Sequence, residues 1–172
     1  MYATTHGHTA KIAGRLAETL RGCGLQVDLR DVEDAGDVDP GGYSAVLVGA
    51  SLHAGHHQRQ IVDWAKSHRA GLTELPAAFF SVSLTAAEDS DEARETTQGC
   101  IDDFTDQTGW TPLTTTTIAG ALQYREYDPF TRLLMRLKMR HDGHDTDTSH
   151  DHEYTDWELV ERFAREFAHR LR

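Results

Sequence analysis

The chain has little cysteine, little lysine and no long apolar run, and each shortage removes a class of protein. Its two cysteines, Cys23 and Cys100, stand far apart in 172 residues and in no metal or redox spacing. That excludes a disulfide framework and a CxxC centre and fits a reducing cytosol. Nowhere do about 18 apolar residues follow one another, and no leader pattern is visible. The sequence therefore predicts a cytoplasmic protein, in solution or at most peripheral on the inner face of the cell membrane. Three lysines and 14 arginines stand against 28 acidic residues, for a net charge of -11. General nucleic-acid binding is excluded, and any polyanion contact has to be local. The Asp-rich, Lys-poor composition suits a high-salt cytoplasm, although a GC-rich genome would also favour Arg over Lys. No internal repeat is visible, and residues 1–172 read as one domain able to bury roughly 70% of its unfolded surface.

A first strand is also almost missing. Only residues 1–3 precede Thr4-Thr5-His6-Gly7-His8-Thr9, a loop of small and hydroxyl residues that runs into a helix carrying Ile12, Ala13, Leu16 and Leu20. Free N–H groups at a helix start, hydroxyls and a favourable dipole make such a loop a phosphate site. Downstream, Leu25–Leu29 alternates as an edge strand, and Tyr43–Ala50 contains the apolar run of a strand covered on both faces. A helix is predicted over His57–His68 and a buried strand over Pro76–Val82. Asp91–Thr108 reads as a helix with Ala93, Thr97, Cys100, Ile101 and Phe104 inward, and Thr114–Leu122 as a last strand. A capping box, Thr155-Asp156-Trp157-Glu158, opens the final helix. Strands alternating with helices imply an α/β doubly wound parallel sheet with its ligand crevice at the carboxyl ends of the strands. Residues 4–9, 51–56 and 83–90 are expected there. An insert of about 30 residues, 123–153, separates the last strand from the last helix and contains a short helix from about Pro129 to Arg140; its length implies a task of its own.

Several segments together resemble one family. They are Val48-Gly49-Ala50-Ser51 with Gly55-His56, Ala78-Phe79-Phe80-Ser81-Val82-Ser83-Leu84, Ile118-Ala119-Gly120-Ala121-Leu122-Gln123-Tyr124, Thr146-Asp147-Thr148, and Tyr154-Thr155-Asp156-Trp157-Glu158 with Phe163-Ala164-Arg165-Glu166. In order and spacing they are similar to the flavodoxin-like, menaquinone-dependent protoporphyrinogen IX dehydrogenases over essentially the whole chain. The resemblance implies a flavodoxin-like five-stranded sheet of order 2-1-3-4-5 with helices on both faces, FMN at the strand ends, oxidation of protoporphyrinogen IX, and a membrane quinone as acceptor. The long insert is a family trait as well. In that fold the shortened first strand would be central, so the native protein is expected to start upstream of Met1. Two other readings fit the same residues: a flavodoxin-type electron carrier or quinone reductase without a porphyrinogen substrate, and a cofactor-free interaction domain.

The candidate cofactor residues are Thr4, Thr5, His6, Gly7, His8 and Thr9 at the phosphate, with His6 and His8 adding charge-assisted contacts if protonated. Ser51, Leu52, His53, Ala54 and Gly55 are expected on one side of the flavin, and Ser83, Leu84 and Thr85 on the other. His53 is the candidate proton acceptor, although flavin chemistry often needs no protein base. In the insert, Arg132, Arg136 and Arg140 lie on one face of the short helix and Phe130, Leu133, Leu134 and Leu137 on another. With Tyr124 and Arg125, this basic amphipathic segment suits the propionates of a porphyrinogen or an anionic membrane surface. A helix packed on its own domain would carry the same pattern. His141, His144, His150 and His152, interleaved with Asp142, Asp145, Asp147 and Asp151, have no zinc spacing and read as a hydrated loop, so no metal is expected. The sequence leaves the oligomeric state open.

Overall fold

The computed structural model describes residues 1–34, 38–122 and 152–172. Its elements are β1 (Tyr2–Ala3), α1 (His8–Gly22), β2 (Val46–His53), β3 (His56–His57), α2 (Arg59–Ser67), α3 (Arg69–Glu74), β4 (Ala77–Ser83), α4 (Asp91–Thr108), β5 (Thr114–Ala119), β6 (Ala121–Leu122), β7 (His152–Glu153) and α5 (Trp157–Arg170). The main sheet is parallel in the order β1-β2-β4-β5. Its register sets Gly49 opposite Phe80 and Ser81 opposite Thr117.

Period-two side chains divide the core between the two faces of the sheet. Ala77 and Phe79 point to the face covered by Ile61, Trp64 and Ala65 of α2, Leu72 of α3, and Ile101 and Phe104 of α4. Ala78, Phe80 and Val82 point to the face covered by Ile12 and Leu16 of α1 and Val160, Ala164 and Phe167 of α5. Phe79 stacks on Phe104 with ring centroids 4.1 Å apart. Gly49 lies within β2 rather than at its end. A Cβ there would fall on the Phe80 ring, so the glycine makes room for that ring in the core.

The predicted edge strand at Leu25–Leu29 lies in the expected position but forms no ladder of its own. It joins β1 through one bridge, Tyr2 to Asp31, with Tyr2 N donating to Arg30 O at 2.9 Å and Val32 N to Tyr2 O at 2.8 Å. The reason is the shortness of β1, which offers two residues to each neighbour. Ahead of Met1 a cavity of about 490 Å³ opens between Leu25 and Val27 on one side and Ala45 and Leu47 on the other, over Leu16 and Leu20. The Met1 ammonium donates to Leu47 O at 3.0 Å, where a strand amide would stand. Its enclosure lowers its pKa to about 6.

Two further local expectations are corrected. Helix α2 starts at Arg59, because His56 and His57 fold back as β3 on Leu52 and His53. Asp156, not Thr155, caps α5; its Oδ1 accepts from Glu158 N at 2.9 Å and Leu159 N at 3.1 Å. Among the described residues, no helix is long and apolar enough to cross a membrane. The short helix expected near Pro129–Arg140 lies outside the described residues.

Candidate functional site

The carboxyl ends of β1, β2, β4 and β5 lie at one edge of the sheet, and the loop after β1 turns there into α1. Thr4 Oγ1 accepts a hydrogen bond from Gly7 N at 3.0 Å. Gly7 takes φ 81°, a left-handed conformation that a side chain would strain. As the N-cap it supplies no side-chain acceptor, and no acidic residue sits in the first turn. The helix start is therefore left without a side-chain acceptor, and its first-turn N–H groups and the positive end of its dipole are available to an anion.

The second wall comes from β2, which runs past the sheet and reverses in a hairpin. Ala54 (φ 49°) and Gly55 (φ 82°) are both left-handed, the conformation of a two-residue turn. Gln58, just after the hairpin, ties the walls together. Its Nε2 donates to Thr5 Oγ1 at 3.1 Å and to Ser51 Oγ at 2.5 Å, which leaves its buried Oε1 unpartnered. Thr4 and Thr5 with His53, His56, His57 and Gln58 line a cavity of about 450 Å³. Gln60 Nε2 donates to Glu33 Oε1 at 3.2 Å on its margin. The cavity ahead of Met1 lies at the opposite end of β1.

His57 forms the floor. Its Nε2 lies 2.9 Å from Ser81 Oγ, and Phe79 and Phe104 present their rings edge-on, each 5.3 Å from its centroid. Burial drives its pKa down to about 4, with His56 adding to the effect. At neutral pH this imidazole is uncharged. No periodicity in the sequence marks it, because the helical spacing of Ile61, Trp64 and Ala65 continues backward through it.

The structure brings Thr4, Thr5 and His53 to one cavity and joins Ser51 to it through Gln58. Ala54 and Gly55 form the exposed hairpin tip, and Leu52 is half-buried within the hairpin. Ser83 closes its own turn by accepting from Ala86 N at 3.2 Å; it stands with Leu84 and Thr85 at the same edge of the sheet, outside the residues lining the cavity. His6 is half-buried. His8 and Thr9 hold their side chains inside, 8% and 2% exposed, and reach the loop only through their backbone. Burial also lowers the His8 pKa, against the pull of Glu153 and with the push of Lys11. Tyr124, Arg125, Arg132, Arg136 and Arg140, and the His/Asp tract except His152, lie outside the described residues. Among those described, no cluster of His, Cys, Asp or Glu could hold a metal.

Comparison with known proteins gives three results. A flavodoxin domain family matches residues 1–149. Protoporphyrinogen IX dehydrogenase (quinone) of Leishmania major is 37% identical over 169 residues, covering 98% of this chain and 73% of that protein. Its counterpart in Escherichia coli strain K12 is 35% identical over 169 residues, covering 98% and 93%. Among solved structures, a flavodoxin of Streptococcus pneumonia TIGR4 superposes with a TM-score of 0.59 at 18% identity, covering 98% of this chain and 95% of that one. Oxidised Flavodoxin 1 from Bacillus cereus gives 0.56 at 14%, covering 98% and 94%. At such identities the superpositions speak for the fold alone.

Proposed function

Because the chain belongs to the flavodoxin domain family and, within it, to the protoporphyrinogen IX dehydrogenase (quinone) family, we infer that it is an FMN-dependent oxidoreductase of haem biosynthesis. It oxidises protoporphyrinogen IX to protoporphyrin IX and gives the electrons to a quinone. The observation that carries this reading is identity of 35–37% maintained over 98% of the chain.

The residues present fit the cofactor. A hydroxyl-bearing loop with a left-handed glycine at a helix start that lacks a side-chain cap suits a phosphate, and the neighbouring hairpin supplies a wall for a flat ring. FMN, when bound, supplies the redox chemistry. Thr4, Thr5 and the first-turn N–H groups of α1 hold its phosphate, with Gly7 allowing close approach. Gln58 fixes the Thr5 and Ser51 hydroxyls relative to each other. Ser51, Leu52, His53, Ala54 and Gly55 bracket the ring from one side, and Ser83, Leu84 and Thr85 from the other. His53, exposed at the rim, offers a proton acceptor to the substrate. The basic amphipathic pattern of Tyr124, Arg125, Arg132, Arg136 and Arg140 supports contact with the substrate's propionates or with an anionic membrane surface, where menaquinone would be met.

The test is an anaerobic assay of FMN-loaded protein with protoporphyrinogen IX and a soluble quinone. Porphyrin fluorescence should rise as quinone is consumed. Flavin retention without porphyrin formation would reject the porphyrinogen substrate and favour the electron-carrier reading.

A further inference from the structure

Residues 119–122 and 152–157 flank the insert and pair as its stem, and the second of these segments is tied to the helix that follows the phosphate loop. Thr155 Oγ1 donates to Ala119 O at 2.7 Å. A threonine hydroxyl has one proton, and a carbonyl can only accept. The 2.7 Å contact between His8 Nε2 and Thr155 Oγ1 therefore has the imidazole as donor, which fixes His8 with its proton on Nε2. His8 is the first residue of α1, directly after the left-handed Gly7. One chain of hydrogen bonds thus runs from the end of the phosphate loop, through His8 and Thr155, to the carboxyl end of β5.

Other contacts run alongside it. β6 and β7 pair Ala121 with Glu153 and Leu122 with His152, and Tyr154 N donates to Gly120 O at 3.1 Å. Glu153 takes the Lys11 ammonium at 2.5 Å and the Trp157 indole N–H at 2.7 Å. The Trp157 ring meets His8 edge-on at 6.3 Å and lies 5.0 Å beneath the Lys11 ammonium. Lys11 and Glu153 are substantially exposed, so their ion pair contributes little. The buried His8 and its hydroxyl partner carry the connection.

We propose that the His8–Thr155–Ala119 chain couples the phosphate loop to the stem of the insert, with His8 and Thr155 as positioning residues for the cofactor's phosphate. The proposal rests on the reading that FMN phosphate lies at Thr4–Gly7. Cofactor on the loop stabilises the stem and the stem, in turn, holds the loop in its binding form, since such linkage is reciprocal.

The test compares FMN with riboflavin, which lacks the phosphate, by flavin fluorescence titration of the full chain. Thr155→Val should weaken FMN about tenfold while changing riboflavin less than about twofold, a loss within the usual range of coupling between sites. Thr155→Ser, which keeps the hydroxyl, should restore FMN affinity. His8→Gln, which keeps a donor, should hold it within about threefold. In wild type, FMN should slow amide exchange at residues 119–122 and 152–157, and in Thr155→Val this protection should fall. Unchanged FMN affinity in Thr155→Val, or equal weakening of both ligands, would overturn the coupling. Equal wild-type affinity for FMN and riboflavin would instead overturn the placement of the phosphate on this loop.

Discussion

His57 cannot be charged in place without loss. Its ring is boxed by Phe79, Phe104 and the Ser81 hydroxyl, and its folded pKa of about 4 lies below the ordinary 6.5. Above pH 6.5 neither folded nor unfolded chain holds the proton. As pH falls from 6.5 toward 4, the unfolded chain takes it up and the folded one does not, so stability drops by roughly 3 kcal/mol. Urea unfolding of His57→Gln should show a flatter acid limb than wild type, and identical limbs would count against the buried, neutral imidazole. His53 stands in contrast, exposed at the rim. If it accepts a proton from the substrate, His53→Gln slows porphyrin formation at least about tenfold and leaves FMN retention unchanged. An unchanged rate would return the proton to solvent. The two histidines were opposite in legibility. His53 stood out as a titratable group in a loop after a buried strand. His57 was hidden inside an apparent helical repeat, because only pairing with Leu52 and His53 makes it a strand.

At the scale of elements, periodic and capped segments were legible and pairing-dependent ones were not. Helix α4 runs over Asp91–Thr108 as expected because Ser90 caps it, accepting from Ala93 N, and Gly109 ends it at φ 65°. The cap of α5 shifted by one residue because the Thr155 hydroxyl is taken by Ala119 O, a contact across 36 positions that local pattern does not carry. The edge segment 25–30 shows the same limit: its alternation was readable, but a ladder needs a neighbour, and β1 supplies two residues. The slot ahead of Met1 follows from this. An extension of about five β-branched residues ahead of Met1, long enough to span roughly 17 Å as a strand, should pair with both sides and fill the cavity. It also replaces the enclosed ammonium by a peptide. The chain beginning at Met1 should lose roughly 2 kcal/mol as pH falls from 8 to 6, because its folded amine titrates near 6 and its unfolded amine near 8.0. The extended chain should melt higher and lack this pH dependence. Equal melting and equal pH profiles would mean that the slot does not accept a strand.

For the molecule as a whole, the fold was legible because two apolar faces alternate along the strands and recur at helical spacing in α1, α2 and α5. The ligand edge followed from topology alone. The roles of residues 123–151 were readable only as pattern. Net charge of -11 acts at this scale too. Self-repulsion among exposed carboxylates is screened as the Debye length falls from about 10 Å at 0.1 M salt to about 3 Å at 1 M. The described ion pairs are largely exposed, so little stability is lost with them. Melting temperature should rise by about 5 °C between 0.1 and 1 M KCl, a change of roughly 2 kcal/mol for a chain of this size. A fall would mean that ion pairs outweigh repulsion.

We propose that the loop at Thr4–Gly7 and the hairpin at Ser51–Gly55 form a flavin cradle. The most direct test is the visible absorption spectrum of protein incubated with FMN and then desalted, for wild type and for Gly7→Val, which puts a β-branched side chain at a left-handed position. Such a cradle should give flavin bands at about one FMN per chain in wild type and lose them in the variant, with the fold of both intact by circular dichroism. Flavin-free wild type, or equal retention by the variant, would contradict it.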